Sequence, residues 1–227
     1  MESASILLIQ ETKKMAEDSL ATLKIFWPKG DGLATNAVGA FGGLLCWWDA
    51  EKFVVHSAIE NKNWLFIKLE NKEKKEKFWI GNIYGPTIHA QKDSFWTSLK
   101  EQCEGKLLLP CFIAGDFNVT ISTEERRGGT NVRDPIGERL EDFIISWNLI
   151  DIKLKKGKFT WNNNRVGPGH IASRLDRFLV SSSFPNKPLL PVSSIMSSTA
   201  SNHRPISILF SEIGNLGPMP FVLTQFG

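Results

Sequence analysis

An α/β domain built on mixed sheets is the fold class predicted for this chain of 227 residues. Three observations carry the prediction. Short continuous apolar runs outnumber the segments with helical periodicity, two well-patterned helices fall between those runs, and most runs stop abruptly at polar residues.

The first run, Ser5-Ile6-Leu7-Leu8-Ile9, stops at Gln10-Glu11-Thr12-Lys13 and has the form of a buried strand. Gly43 to Trp48, Phe53 to His56, Trp64 to Leu69 and Lys77 to Tyr84 follow in the same style. The last two flank Asn71-Lys72-Glu73-Lys74-Lys75-Glu76, whose charges suit a solvated hairpin tip. A helix is expected from Asp93 to Gly105, with Asp93 as cap and Phe95, Trp96, Leu99 and Cys103 on one face. Leu107 to Ala114 reads as a buried strand ending at Gly115-Asp116. Asp134-Pro135 opens a second helix, with Ile136, Leu140, Phe143, Ile144 and Trp147 at helical spacing. Lys158 to Trp161, Arg174 to Ser181 and Pro205 to Phe210 complete the strands. Ser193 to Ser201 is expected to be a serine-rich loop. Residues 212–227, rich in glycine and proline, are expected to be a tail outside a single domain of residues 1–211.

Composition fits one globular domain, with 42% hydrophobic and 22% charged residues, which excludes intrinsic disorder. A formal charge of +3 permits a nucleic-acid partner without demanding one. Cys46, Cys103 and Cys111 are an odd number at no metal-binding spacing, so a reducing, intracellular setting is expected. No run approaches the ~20 apolar residues of a membrane helix, and the N-terminus lacks the basic start of a targeting signal. No membrane partner is expected.

The chemistry lies where polar residues meet strand ends, since strands hold such groups rigidly and the adjoining loops leave room for substrate. Glu11 follows the first run, Tyr84 ends Phe78 to Ile83, and Asp116 and Asn118 end Cys111 to Gly115. Asp176 lies within Leu175 to Val180, and His203 precedes Pro205 to Ile208. Singly, each has an ordinary reading: Glu11 as a turn former, Gly-Asp-Phe-Asn as turn chemistry, Tyr84 as a core-rim residue, and His203 as structural. Asp176 is different, because a carboxylate within an apolar strand needs a partner, and His203 is a candidate.

In series the spellings say more. Gln10-Glu11-Thr12-Lys13, Asn82-Ile83-Tyr84-Gly85-Pro86, Gly115-Asp116-Phe117-Asn118, Ser173 to Leu179 (Ser-Arg-Leu-Asp-Arg-Phe-Leu) and Ser201-Asn202-His203-Arg204-Pro205-Ile206 occur in that order. Over about residues 5 to 211 the chain resembles the exonuclease/endonuclease/phosphatase superfamily. It is most like the endonuclease domain of plant LINE-type (non-LTR) retrotransposons, a relative of the apurinic endonucleases.

That resemblance implies a four-layer α/β sandwich of two packed mixed sheets with outer helices, and metal-assisted hydrolysis of a phosphoester. It implies that Glu11 holds Mg²⁺ (or Mn²⁺), that Asp116 activates water, and that Asn118 and Tyr84 hold phosphate oxygens. It also implies that His203, paired with Asp176, donates to the scissile phosphate. DNA is the expected substrate, and a nuclear location follows from it. The protein is expected to act as a monomer with no protein partner.

Two departures qualify these expectations. Asn202 stands where the family has an aspartate of the metal and water network, so it is a weakened metal ligand. The family's first strand–helix unit, which carries an active-site asparagine, has no counterpart before Ile6. Its loss is expected to bare backbone groups of the neighbouring strands and to leave a chain that folds poorly and cleaves weakly or not at all. Two other readings stand beside the nuclease. One is a phosphatase or small-molecule phosphoesterase of the same superfamily. The other is a non-catalytic DNA-binding remnant using Arg126-Arg127 and the lysines at 153, 155, 156 and 158.

Overall fold

The structure, a computed structural model, describes residues 4–39, 41–105, 110–130, 132–183, 189–197, 201–212 and 219–225. In chain order the elements begin with β1 (Ile6–Gln10), α1 (Ala16–Phe26), β2 (Gly30–Ala34), β3 (Ala37–Val38), β4 (Phe41–Gly42) and β5 (Leu44–Asp49). Then come β6 (Phe53–Asn61), β7 (Trp64–Asn71), β8 (Lys77–Tyr84), α2 (His89–Cys103), β9 (Cys111–Asp116), β10 (Arg126–Arg127) and α3 (Gly137–Ser146). The chain closes with β11 (Leu149–Ile152), β12 (Trp161–Asn162), β13 (Ala172–Ser173), β14 (Asp176–Ser181), β15 (Leu189–Ile195), β16 (Ile206–Glu212) and β17 (Met219–Gln225).

Two six-stranded sheets dominate. The first has the order β15-β16-β17-β1-β5-β2 and the second β11-β14-β9-β8-β7-β6. Each mixes parallel and antiparallel pairs: β1 runs parallel to β17, and β8 parallel to β9, while the remaining pairs are antiparallel. A three-stranded sheet β10-β13-β12 sits beside them.

Alternation along each strand sorts the side chains into layers. Ile6 and Leu8 from β1, with Trp48, Ile67, Ile80, Phe112, Phe178 and Ile208, fill the space between the two sheets. The opposite face of the second sheet presents Trp79, Ile83 and Ile113 to Phe95, Trp96 and Leu99 of α2 and to Leu140 and Phe143 of α3. The opposite face of the first sheet packs Ile9, Leu45 and Trp47 against Leu20 and Leu23 of α1. Helix, sheet, sheet and helix make the expected four layers.

Several expectations are corrected. Residues Met219–Gln225 of the expected tail form β17, paired with β1 residue for residue from Ile6↔Phe221 to Gln10↔Gln225 and with β16 on its other side. The edge of β1 expected to be bare is therefore hydrogen-bonded, which satisfies its backbone groups. Ser193 to Ile195 of the expected serine-rich loop belong to β15, and residues 198–200 lie outside the described residues. Helix α2 starts at His89, so Asp93 is no cap; it lies on the exposed surface and accepts a hydrogen bond from Arg139 Nε at 3.1 Å. The strand expected from Leu107 starts at Cys111, residues 106–109 being outside the described residues. Helix α1 escaped the sequence reading because it is mostly solvated: only Ser19 is fully buried, so its apolar stripe is thin.

Candidate active site

Three of the singled-out residues stand in one row. In the second sheet Tyr84 of β8 is registered with Asp116 of β9, and Asp116 with Asp176 of β14. On β8 and β9 these residues continue the alternating positions of Ile80 and Asn82, and of Phe112 and Ala114, that face the first sheet. The row therefore opens at the end of the seam between the sheets. Gly115 makes the close pairing possible, since a Cβ there would lie 1.9 Å from the Ile83 carbonyl oxygen.

Glu11 reaches the same place from the first sheet, one residue past β1, with φ of 51°. Tyr84 Oη donates to Glu11 Oε1 at 2.5 Å across the seam. Burial, with the bond to Glu11 and the charges of Glu11 and Asp116, pushes the Tyr84 hydroxyl above its ordinary range, so it remains a donor. Just beneath, Gln10 donates to Asn82 Oδ1, and Asn82 Nδ2 donates to the carbonyls of Ile9 (2.9 Å) and Leu45 (3.0 Å). Asn82 thus laces the two sheets together directly below the site, a role the sequence reading did not assign.

His203 enters from the loop before β16. Its Nδ1 lies 3.0 Å from Asp176 Oδ2 and its Nε2 lies 3.8 Å from Asp116 Oδ2. Burial alone would lower its pKa, but the charge and hydrogen bond of Asp176, with the charges of Asp116 and Glu11, raise it to about 9. At neutral pH the ring is an imidazolium set between two carboxylates. One potential ligand atom from each of Asp116, Asp176 and His203 lies within 4.8 Å of the other two. The carboxylate oxygens of Glu11, Asp116 and Asp176 face this cleft as donors for a cation. That all-oxygen set suits a hard divalent ion.

Asn118, with φ of 51°, spends both amide hydrogens within the site: one on Asp116 Oδ2 (2.9 Å) and one on the Gly85 carbonyl (2.8 Å). Its backbone N–H donates to Asp116 Oδ1 at 2.9 Å. These bonds let Asn118 orient Asp116. Asn202 lines the same cleft but is exposed, and its Oδ1 accepts from Asn164 Nδ2.

Sequence reasoning passed over the residues that support this arrangement. Thr160 is fully buried, and its Oγ1 accepts the N–H of both Leu175 and Asp176 at 3.0 Å, while its carbonyl takes the Arg204 N–H at 2.7 Å. It therefore ties the chain around Asp176 to the chain around His203. Below β14, the guanidinium groups of Arg174 and Arg177 both bond to the carboxylates of Glu125 and Asp151. Lys92 donates to the Asn118 carbonyl at 2.6 Å. Only the Arg-Leu-Asp-Arg spelling hinted at any of this.

The cleft above these groups measures about 580 Å³ and is also lined by Arg126, Trp161, Ile171 and Leu175. Among the described residues no helix is long and apolar enough to cross a membrane.

Comparison with known proteins accords with this geometry. The catalytic domain of Xenopus laevis APE2 superposes with a TM-score of 0.72 at 16% identity, covering 96% of this chain and 85% of that one. The endonuclease domain of TRAS1, a telomere-specific non-LTR retrotransposon, gives 0.63 at 12% identity, covering 94% of this chain and 100% of that one. A mannosyl-6-phosphatase from Bacteroides thetaiotaomicron gives 0.59 at 16% identity, covering 91% and 85%. These likenesses establish the fold. No curated protein matches the chain in sequence. The family model for endonucleases, exonucleases and phosphatases matches residues 2–203, nearly the whole span that builds the site, and the chain belongs to the Endonuclease/Exonuclease/phosphatase family.

Proposed function

We propose that this protein is a divalent-metal-dependent phosphodiester hydrolase acting on DNA, of retrotransposon origin, with Mg²⁺ as its ion. The observation that carries this reading is the His203 ring held 3.0 Å from Asp176 and 3.8 Å from Asp116, in the cleft that Glu11 also lines. A phosphodiester is an anion attacked by an oxygen nucleophile, so its hydrolysis needs a base for the water and positive charge for the developing negative oxygens.

Asp116, oriented by Asn118, accepts the proton of the attacking water. His203, kept protonated by Asp176, donates to a phosphate oxygen as charge builds there. Tyr84 fixes the Glu11 carboxylate. Glu11, with a carboxylate of the row, would hold Mg²⁺, which when bound adds further charge stabilisation at the phosphate. Arg126 at the cleft supplies a cation for a flanking phosphate. The protein then works as a monomer in the nucleus, where its substrate is found.

Nicking of supercoiled plasmid with and without Mg²⁺ tests this. Asp116→Ala and His203→Ala are each expected to lower the rate by about 10²- to 10⁴-fold. Absence of Mg²⁺-dependent nicking by the parent protein, with DNA binding that survives chelation, overturns catalysis and leaves a DNA-binding remnant. The amide at Asn202, engaged by Asn164, is the feature that favours that second reading.

A further inference from the structure

The two outer layers of the sandwich carry surfaces that the hydrolytic chemistry does not use. Helix α1 turns Leu20 and Leu23, followed by Trp27, onto the first sheet. A helix carries residues two or three places off such a stripe round to its other face. Ile25 and Phe26 fall there, near the C-terminal end of α1, and are 76% and 80% exposed. Two adjacent large apolar side chains so far into water form a contact knob. Basic residues flank it. Lys24 Nζ donates to the Gly30 carbonyl at 2.9 Å, and Lys29 Nζ lies 3.1 Å from Glu51 Oε1. Both members of the Lys29–Glu51 pair are exposed, and a pair of that kind is worth little, so its cation exchanges partners readily.

On the far side of the sandwich, α2 and α3 leave a groove of about 630 Å³ between them. Its floor is aromatic: the ring centre of Phe143 lies 5.5 Å from that of Trp96 and 4.7 Å from that of Trp147. Its rim is acidic. Glu101, Glu104 and Asp142 are exposed there, and among the described residues none of the three is in an ion pair. Of the two rim cations, Arg139 donates to Asp93, which leaves Lys100. Such a rim repels nucleic acid and attracts a basic partner, while the floor favours an apolar anchor.

We propose that this groove receives the Ile25–Phe26 knob of a second copy of the chain, with Lys24 and Lys29 against Glu101, Glu104 and Asp142. Apolar then meets aromatic and basic meets acidic, which sets the orientation of the contact. Knob and groove lie on opposite outer layers, so one pair of copies cannot satisfy both at once. The contact is head-to-tail, and it extends into open rows rather than closing as a two-fold dimer. A single two-residue knob covers far less than the roughly 1,200–2,000 Å² of a stable interface, so association is weak and concentration-dependent. The catalytic cleft shares no lining residue with the groove, so each copy keeps its whole site and the single chain remains the unit of hydrolysis. The proposal goes beyond the hydrolytic reading and is tested without DNA or metal.

Sedimentation velocity of the full chain is followed from about 10 to 500 µM, the range in which small contacts associate. The sedimentation coefficient of the parent is expected to rise with concentration without levelling at a dimer. Ile25→Ser with Phe26→Ser removes the knob, and Glu104→Lys with Asp142→Lys reverses the rim. Each double variant is expected to weaken association by about tenfold or more. All four side chains are exposed, so melting temperatures are expected to match the parent. Phe26→Ser alone and Glu104→Lys alone, milder changes at the same places, are expected to show smaller losses in the same direction. Val166→Ser, at an equally exposed apolar position elsewhere, is expected to change nothing. An equimolar mixture of the two double variants joins one intact groove to one intact knob and is expected to stop at a dimer. The proposal is overturned if the parent stays monomeric throughout, which would leave the groove to a different protein. It is equally overturned if either double variant associates like the parent, or if the mixture stays monomeric while the parent associates.

Discussion

Tyr84, Asp116 and Asp176 lie in register on three adjacent strands of the second sheet, each pair joined by its own ladder of hydrogen bonds. Glu11 and His203 flank strands of the first sheet, where β1 and β16 do not touch directly: β17 lies between them and bonds to both. One half of the site is thus set by local register within a continuous sheet. The other half depends on a strand from the far end of the chain being seated correctly. The comparison teaches that the row of acids is the robust part of the machinery. The spacing between Glu11 and His203 is the part that tertiary assembly controls.

Removal of residues 219–227 should break the weaker half. It strips β1 and β16 of a neighbour each and divides the first sheet into β15–β16 and β1–β5–β2. Loss of the cooperative thermal transition and appearance of aggregates by light scattering are expected. A truncated monomer melting like the parent would show that the first sheet does not need β17.

The second sheet should be broken most readily by acid. Burial alone would raise the pKa of Glu125, but the hydrogen bond and charge of Arg177, the Ile121 amide and the charge of Arg174 hold it down at about 2. Asp151 is likewise held below the usual carboxylate range, by Arg174, Arg177 and Lys153 against the effect of burial. A carboxyl whose folded pKa is depressed contributes stability above its unfolded value, near 4.5 for Glu125, and loses it as pH falls toward 2. Melting temperature should therefore drop between about pH 4.5 and 2. In Glu125→Gln that drop should shrink, although removing one partner of a buried pair costs about 3–5 kcal/mol at neutral pH. An unchanged acid profile in this variant would show that the network does not govern acid stability.

A smaller effect sharpens the junction of the two halves. Thr160→Ala leaves the N–H groups of Leu175 and Asp176 without their acceptor, a cost of about 1–3 kcal/mol. It should also loosen the Asp176–His203 pair. Nicking should fall about tenfold at saturating DNA, with binding retained, and Thr160→Ser should restore the rate. Equal activity in all three proteins would remove Thr160 from the positioning of the site.

Much of the site was legible because strand-end residues are local signals. Abrupt changes from apolar runs to Glu11, Tyr84, Asp116 and Asn118 mark where chain leaves sheet, and Asp176 stood out as a charge amid Leu175 and Phe178. The supporting residues were silent for the opposite reason. Thr160, Asn82 and Glu125 acquire their roles only through partners 15 to 73 positions away, and nothing in their immediate spelling distinguishes them from turn formers. Helix α1 was missed because solvated helices carry a weak apolar period, and β17 because the glycines and prolines before it obscured a strand that only its two neighbours define.

Composition, alternation and motif order were enough, by themselves, to determine the α/β class, the layers' apolar faces and the identity of the acidic row, because these depend on period and on residue chemistry. Tertiary structure alone decided that His203 sits between Asp176 and Asp116, that Asn118 spends its donors on Asp116 and Gly85, that Asn202 turns to Asn164, and that the C-terminal strand completes the sheet that leads into Glu11. Such properties come from distance and burial between remote segments, and a linear spelling carries neither.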